Sequence, residues 1–145
     1  MTHIFVNIQT SDLERSKAFY TALGASINPQ FTDENAACIV WDDNVYFMAV
    51  TEAYFATFTD KQIVPSRGQA QVLIALSRDS REDVDKAIAA GVAAGGVEPS
   101  EPKDYGFMYS RDLDDPDGNG VEFFFMEPQA VEQGPDAYVA EQAQA

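Results

Sequence analysis

Apolar and polar residues alternate along residues 2–9, the spacing of a strand with one covered face. Ser11-Asp12-Leu13-Glu14 follows and reads as a capping box, with Ser11 as N-cap and Glu14 reaching back to its amide. Leu13, Tyr20 and Leu23 then fall on one side of a helix near residues 12–23, which Gly24 stops. The same order recurs further along. Residues 71–78 form a strand rich in Val, Leu and Ile. Ser80-Arg81-Glu82-Asp83 repeats the cap, Val84, Ala87 and Ile88 supply the stripe of a helix over 81–93, and Gly95-Gly96 ends it.

Three strands are predicted after each helix. In the first half they cover residues 26–31, 36–41 and 45–50, with Asp42-Asp43-Asn44 as a hairpin turn. In the second half they cover residues 97–101, 107–113 and 121–126. Both halves therefore read βαβββ. Three strands behind one helix exclude a doubly wound parallel sheet, so the fold class is α+β with cupped, mostly antiparallel mixed sheets. One domain spans residues 1–128, with module one over about 1–58 and module two over about 69–128.

The connection, residues 51–68, places Tyr54, Phe55 and Phe58 at helical spacing. It reads either as a short helix packed on the body or as an aromatic lid over a pocket. Residues 129–145 are polar, rich in Ala and Gln, and broken at Gly134-Pro135. A short helix over 136–142, held by Tyr138 and Val139 on the body or on a neighbouring subunit, is the expected order there.

Asp114-Asp115-Pro116-Asp117-Gly118-Asn119-Gly120 is a turn. Pro presets φ, Asp bonds back to nearby backbone, and Gly accepts φ > 0. It opens into the strand Val121-Glu122-Phe123-Phe124-Phe125-Met126. A carboxylate among such neighbours is costly unless it faces a cavity, a partner or a metal.

At 145 residues the chain suits one domain that buries roughly 70% of its unfolded surface. Its net charge of −15 argues against partners with phosphate backbones, so no nucleic acid is expected. That charge fits solubility, or attraction of a cationic ligand. Cys38 is alone, so no disulfide can close within the chain, consistent with a reducing compartment. No leader-like opening and no long apolar run occur, so the expectation is a soluble, cytoplasmic protein without a membrane partner.

Three stretches carry a resemblance to the vicinal oxygen chelate superfamily, which includes glyoxalase I, bleomycin-resistance proteins, fosfomycin-resistance enzymes and extradiol dioxygenases. They are Ser11 to Tyr20 with Leu23-Gly24, then Ile74-Ala75-Leu76-Ser77, and then Asp115-Pro116-Asp117-Gly118 with Glu122. The chain is similar to small bacterial glyoxalase-like proteins over residues 1–128. The resemblance implies paired βαβββ modules and, in the metalloenzymes, a divalent metal held by His and Glu from the first and last strands of each module.

Those positions fall here on Phe5, on Met48 or its neighbours, on Leu73 or its neighbours, and on Glu122. Only Glu122 can ligate a hard or borderline divalent ion. Neither residues 45–50 nor residues 69–77 contain His, Asp, Glu or Cys, so a shift of register supplies nothing. Catalytic sites keep about three protein ligands, so no metal and no cofactor are expected. A divalent metal at Glu122 with a non-family ligand such as His3 is the weaker alternative. Cys38 reads as a small buried side chain rather than a nucleophile.

If the sheet cups as the resemblance implies, its inner face takes Phe5, Asn7, Met48, Leu73, Tyr109 and Glu122. Trp41, Phe55 and Phe58 close over it, and Tyr105 sits at the loop mouth. These residues either line a ligand cleft or fill the core. The cleft suits a small aromatic or cationic molecule. The reading is a metal-free small-molecule-binding protein that forms a homodimer, with Glu122 giving polar specificity. The alternatives are a metal-dependent lyase or dioxygenase-like enzyme, or a non-catalytic scaffold that binds a partner.

Overall fold

The computed structural model describes residues 1–145. The first half runs β1 (Ile4–Thr10), α1 (Leu13–Ala22), β2 (Ser26–Asn28), β3 (Ala36–Asp42) and β4 (Val45–Thr51). The connection holds α2 (Glu52–Phe55) and a 3-10 turn (Ala56–Phe58). The second half runs β5 (Ile74–Ser77), α3 (Arg81–Ala93), β6 (Lys103–Asp104), β7 (Met108–Asp114) and β8 (Gly120–Met126). Two tail helices follow, α4 (Pro128–Gln133) and α5 (Pro135–Ala143).

The repeat is complete at the level of topology. One sheet has the order β1-β4-β3-β2 and the other β5-β8-β7-β6. In each, the first strand pairs in parallel with the last, and the remaining pairings are antiparallel. The expected α+β class of two βαβββ modules is what the chain forms.

Four local expectations need correction. The N-cap of α1 is Asp12, not Ser11, and its carboxylate accepts from Arg15 N–H at 3.0 Å. Ser11 is unavailable because its own N–H and hydroxyl donate to Asp117. At α3 the cap is Ser80, as its sequence predicts. The strand expected over 97–101 reduces to a single bridge, Val97 with Asp114. Pro99 and Pro102 have no N–H to give to a ladder, so pairing against β7 passes to Lys103–Asp104. Strand β2 ends at Asn28 because Pro29 starts a 3-10 turn capped by the Asn28 side chain. The tail forms two helices rather than one, divided at Gly134 (φ 88°). Val139 is 48% exposed, and α5 lies against α4, tied by Gln129 Nε2 donating to Glu141 at 3.0 Å.

Strand alternation assigns the two faces of each sheet. Ile8, Ala37, Ile39, Phe47 and Ala49 point toward the helices from the first sheet, and Leu113, Val121 and Phe123 do so from the second. These residues join Phe19, Tyr20, Val84 and Ile88 in one core rather than two. Tyr20 lies at its centre, edge-on to Phe19, Trp41 and Phe47 at 5.0–5.9 Å. The modules thus pack through their helix-bearing faces. The opposite face of each sheet, with Asn7 and Met48 in one and Asp112 and Glu122 in the other, is turned outward.

The turn between β7 and β8 locks this arrangement. Asp117, 2% exposed, accepts from Thr10 Oγ1 (2.7 Å), Ser11 N–H (2.9 Å), Ser11 Oγ (2.8 Å) and Arg15 Nη2 (2.8 Å), all in the other module. Asp115 accepts from the Tyr20 hydroxyl at 2.7 Å and from the Asp117 and Asn119 amides of its own turn. Asn119 completes the joint by donating to Gln9 O at 2.9 Å. Gly118 sits at φ 89°, and a Cβ there would meet Ser66 O at 2.8 Å, so both backbone angle and space require glycine.

Burial pushes the Asp117 carboxyl up, but donors from Ser11, Thr10 and Arg15 outweigh burial and leave it below the ordinary aspartate value. Its contribution to stability is therefore complete above the unfolded value of about 3.9 and is lost as pH falls through the folded one. Asp115 acts in the opposite sense. Burial holds it above its ordinary value, against its hydrogen bonds, so its contribution is present at low pH and is lost as pH rises through the folded value.

Asp117→Ala should lower the unfolding free energy at pH 7 by about 2–4 kcal/mol, because buried donors lose their acceptor. Urea melts at pH 7 and pH 3 check it. The deficit of the variant should shrink at pH 3, and an equal deficit at both would show that the charge of Asp117 is not what matters. Gly118→Ala should cost about 1–3 kcal/mol in the same assay.

Candidate functional site

The outer face of the first sheet collects Phe5, Asn7 and Gln9 from β1, Tyr46, Met48 and Val50 from β4, and Ala36 and Cys38 from β3, as the register dictates. Part of this face is covered. Residues 29–33 fold over one end, and the segment through α2 and the 3-10 turn brings Tyr54 and Phe58 across it. Between them lies a cavity of about 360 Å³ walled by Phe31, Met48, Val50, Tyr54 and Phe58. Residues 52–58 form a short helical segment packed against β1 and β4, and its Tyr54 and Phe58 border this cavity. Tyr54 and Phe58 meet edge-on at 5.2 Å.

One charge lines this cavity, that of Asp33. Its Oδ1 accepts from the Asn35 and Ala36 amides at 2.8 and 3.1 Å, which fixes the carboxylate, while Oδ2 makes no hydrogen bond within the chain. Asp33 was not among the residues singled out from the sequence. Its signal there was faint, an acidic residue in a polar turn. Cys38, opposite Met48 in the sheet, is 1% exposed, and burial raises its thiol above the usual value.

The other residues expected at one cup are distributed as follows. Asn7, Met48 and Phe58 do line this cavity. Phe5, 53% exposed, lies on the same outer face, stacked on Tyr46 at 4.5 Å. Phe55 and Asn7 face a different cavity, beneath the connection. Leu73 is 70% exposed just before β5, and Tyr105 is half exposed at the β6–β7 turn, stacked on Phe107.

Trp41 and Tyr109 must be corrected. Trp41 shares the parity of Ala37 and Ile39, so it enters the core, edge-on to Tyr20, Phe47 and Phe123. Its exposed side is closed by the Arg78 guanidinium, 5.5 Å from the ring. Tyr109 faces α3, where its hydroxyl donates to Asp85 at 2.6 Å beside Arg111. That hydrogen bond first, and then the one from Arg111, hold Asp85 below the usual carboxylate range.

Glu122 stands on the outer face of the second sheet, between Ala75 of β5 and Asp112 of β7. It makes no ion pair. The nearby Lys103 ammonium instead bonds Asp112 at 2.7 Å, and this with the Ser100 hydroxyl outweighs burial and lowers the Asp112 carboxyl. Within one chain Glu122 therefore does not meet Phe5, Asn7 or Met48, which belong to the other sheet.

The donor set does not fit a family-type divalent metal. Phe5, Met48 and Leu73 offer no oxygen or nitrogen side-chain donor, and nowhere in the chain do three or more His, Cys, Asp or Glu side chains form a group able to hold an ion. His3, the alternative ligand, stacks beside Tyr46 at 6.0 Å, on the first module. No helix is long and apolar enough to cross a membrane.

Residues 2–41 match the family model described as bleomycin resistance protein-like N-terminal. Among curated proteins, none matches the chain. Solved structures do. A hypothetical protein from S. aureus is 24% identical, with a TM-score of 0.73 over 86% of this chain and 94% of that one. A glyoxalase/bleomycin resistance protein/dioxygenase family enzyme from Burkholderia phytofirmans is 22% identical, with a TM-score of 0.69 over 85% and 97%. A glyoxalase/bleomycin resistance protein from Albidiferax ferrireducens is 26% identical, with a TM-score of 0.61 over 85% and 97%.

Trp41→Ala should destabilise the fold by about 3 kcal/mol, the lower part of the range for a core aromatic, because the ring is only partly buried. A chemical melt followed by circular dichroism checks it. A loss below about 1 kcal/mol would place Trp41 outside the packed core.

Proposed function

We propose that this glyoxalase/bleomycin-resistance-like chain, built on the fold of the vicinal oxygen chelate superfamily, is a metal-free binding protein for a small aromatic cation. The observation that carries the reading is the cavity over the first sheet. Its walls are aromatic and thioether groups, and its single charge is the free oxygen of Asp33. Ring faces attract a cation through their quadrupoles, and a fixed carboxylate oxygen adds a charge-assisted contact. The net charge of −15 draws cations toward the protein in the same sense. The Thr32 hydroxyl of the cavity donates to Asn28 O rather than to Asp33, so we read binding rather than catalysis. A reducing, cytoplasmic setting suits the lone thiol of Cys38.

The working form in this reading is a homodimer. Each chain leaves Phe5 about half exposed on one outer sheet face, and Phe124 and Met126 partly exposed on the other. A second copy laid across the first sheet covers such surface and brings its own Glu122 toward the cavity. Residues that one chain holds apart would then share one cleft.

Calorimetry with benzyltrimethylammonium and with benzoate tests the ligand class. The cation should bind and benzoate should not, and Asp33→Asn and Phe58→Ala should each weaken the cation by about 1–2 kcal/mol. Equal binding of both probes, or affinity unchanged in both variants, would sink the reading. Light scattering should give the mass of a dimer, and Phe124→Asp should shift it toward the monomer.

A further inference from the structure

A second cavity, of about 300 Å³, lies beneath the connection, between β1, the start of β8 and the residues that lead into β5. Its chemistry differs from that of the cavity over the first sheet. Acidic residues number 24 in 145, yet none is in its lining, and its one charge is the cation of Lys61. Its polar groups are mostly carboxamides. Asn7, Gln62, Gln69 and Gln71 make no side-chain hydrogen bond within the chain, so their donors and acceptors are free. The Gln9 side chain is held in place, donating to Val64 O at 2.7 Å.

The strand edge adds a second set of groups. β1 pairs only with β4, so its other side is an open edge. In a parallel pair, alternate residues direct both N–H and C=O to the partner. Ile4 N–H donates to Asn44 O next to β4, and Gln9 O accepts from Asn119 on the far side. By that alternation, Asn7 presents its N–H and C=O to the cavity, as the outer edge of any strand does. Phe55, Ile63 and Val72 supply apolar walls.

We infer that this cavity is a binding site for a flat, neutral molecule with an amide-type edge, a donor beside an acceptor, as in a carboxamide, lactam or nucleobase. A carboxamide or a peptide edge pairs with such a group two bonds at a time. The absent acids leave nothing to balance a cationic ligand, and the apolar walls take the ring faces. The site is independent of the proposed cation cavity, although Asn7 borders both.

Amide shift perturbation in the full-length protein tests this with three probes of one shape: benzamide, acetophenone and benzylamine. Benzamide should perturb residues 61–72 and Asn7 saturably, and bind there at least fivefold more tightly than acetophenone, which lacks the donor, or benzylamine, which carries a charge. Gln69→Ala with Gln71→Ala changes only exposed side chains, so the fold is kept, and it should weaken benzamide at least fivefold. Asp33→Asn, which disturbs only the other cavity, should leave benzamide unchanged. Equal binding of the three probes at residues 61–72, no perturbation there, or full affinity in the double variant would overturn the inference. Loss of cation binding in the first cavity with benzamide retained in this one would leave it standing.

Discussion

Two buried carboxylates hold this molecule in its shape. Asp115 and Asp117 extend from the turn of the second module into the strand–helix junction of the first, and every oxygen finds a donor, in that junction or, for one oxygen of Asp115, in its own turn. Leaving such groups unpaired in a core would cost several kcal/mol, so the turn docks in one position or not at all. The same contacts take Ser11 away from the helix it would otherwise cap and pass that task to Asp12. One joint thus sets a local helix start and the global arrangement together.

With the turn docked, the helix-bearing faces of both sheets are committed to a common core. Tyr20 shows the cost of that placement, because burial and then Asp115 hold its phenol well above the usual value. The faces left over are the outer ones, and there the chain can place ligand chemistry without disturbing its core. The first outer face acquires a roof because the connection is long enough to fold back over it. The second acquires none and keeps Glu122 beside the Lys103–Asp112 pair.

The two cavities divide the chemistry of the chain between them. One is aromatic with a single fixed carboxylate, and the other is amide-lined with a single ammonium. A common cation cannot be favoured by both, since the sign of the local charge is reversed. The connection borders both cavities, so a rearrangement of residues 55–72 would alter both together.

The repeated order of strand, cap, helix and glycine, and the three strands after each, determined the βαβββ modules, because hydrophobic period and cap chemistry act over a few residues. The turn around Asp115 and Asp117 was legible as a turn, and its resemblance pointed to the superfamily. Its partners were not legible, since Thr10, Ser11 and Tyr20 lie about a hundred positions away and only docking brings them near. The prolines that break residues 97–101 were visible, but which residues would replace them against β7 was not. The candidate site was read least well. Asn7, Met48 and Phe58 border one cavity on the side that strand parity and helical spacing predict. Trp41 and Tyr109 were misplaced because parity fixes which residues share a face, while only the packing of the two modules decides which face becomes core. Asp33 lies in a polar turn that carries no strand parity, and only the folding of residues 29–33 over the sheet brings it to the cavity. The sequence by itself determined the two modules and the sides of their strands. The tertiary structure decided which sides meet, because that depends on buried contacts between residues remote in the chain.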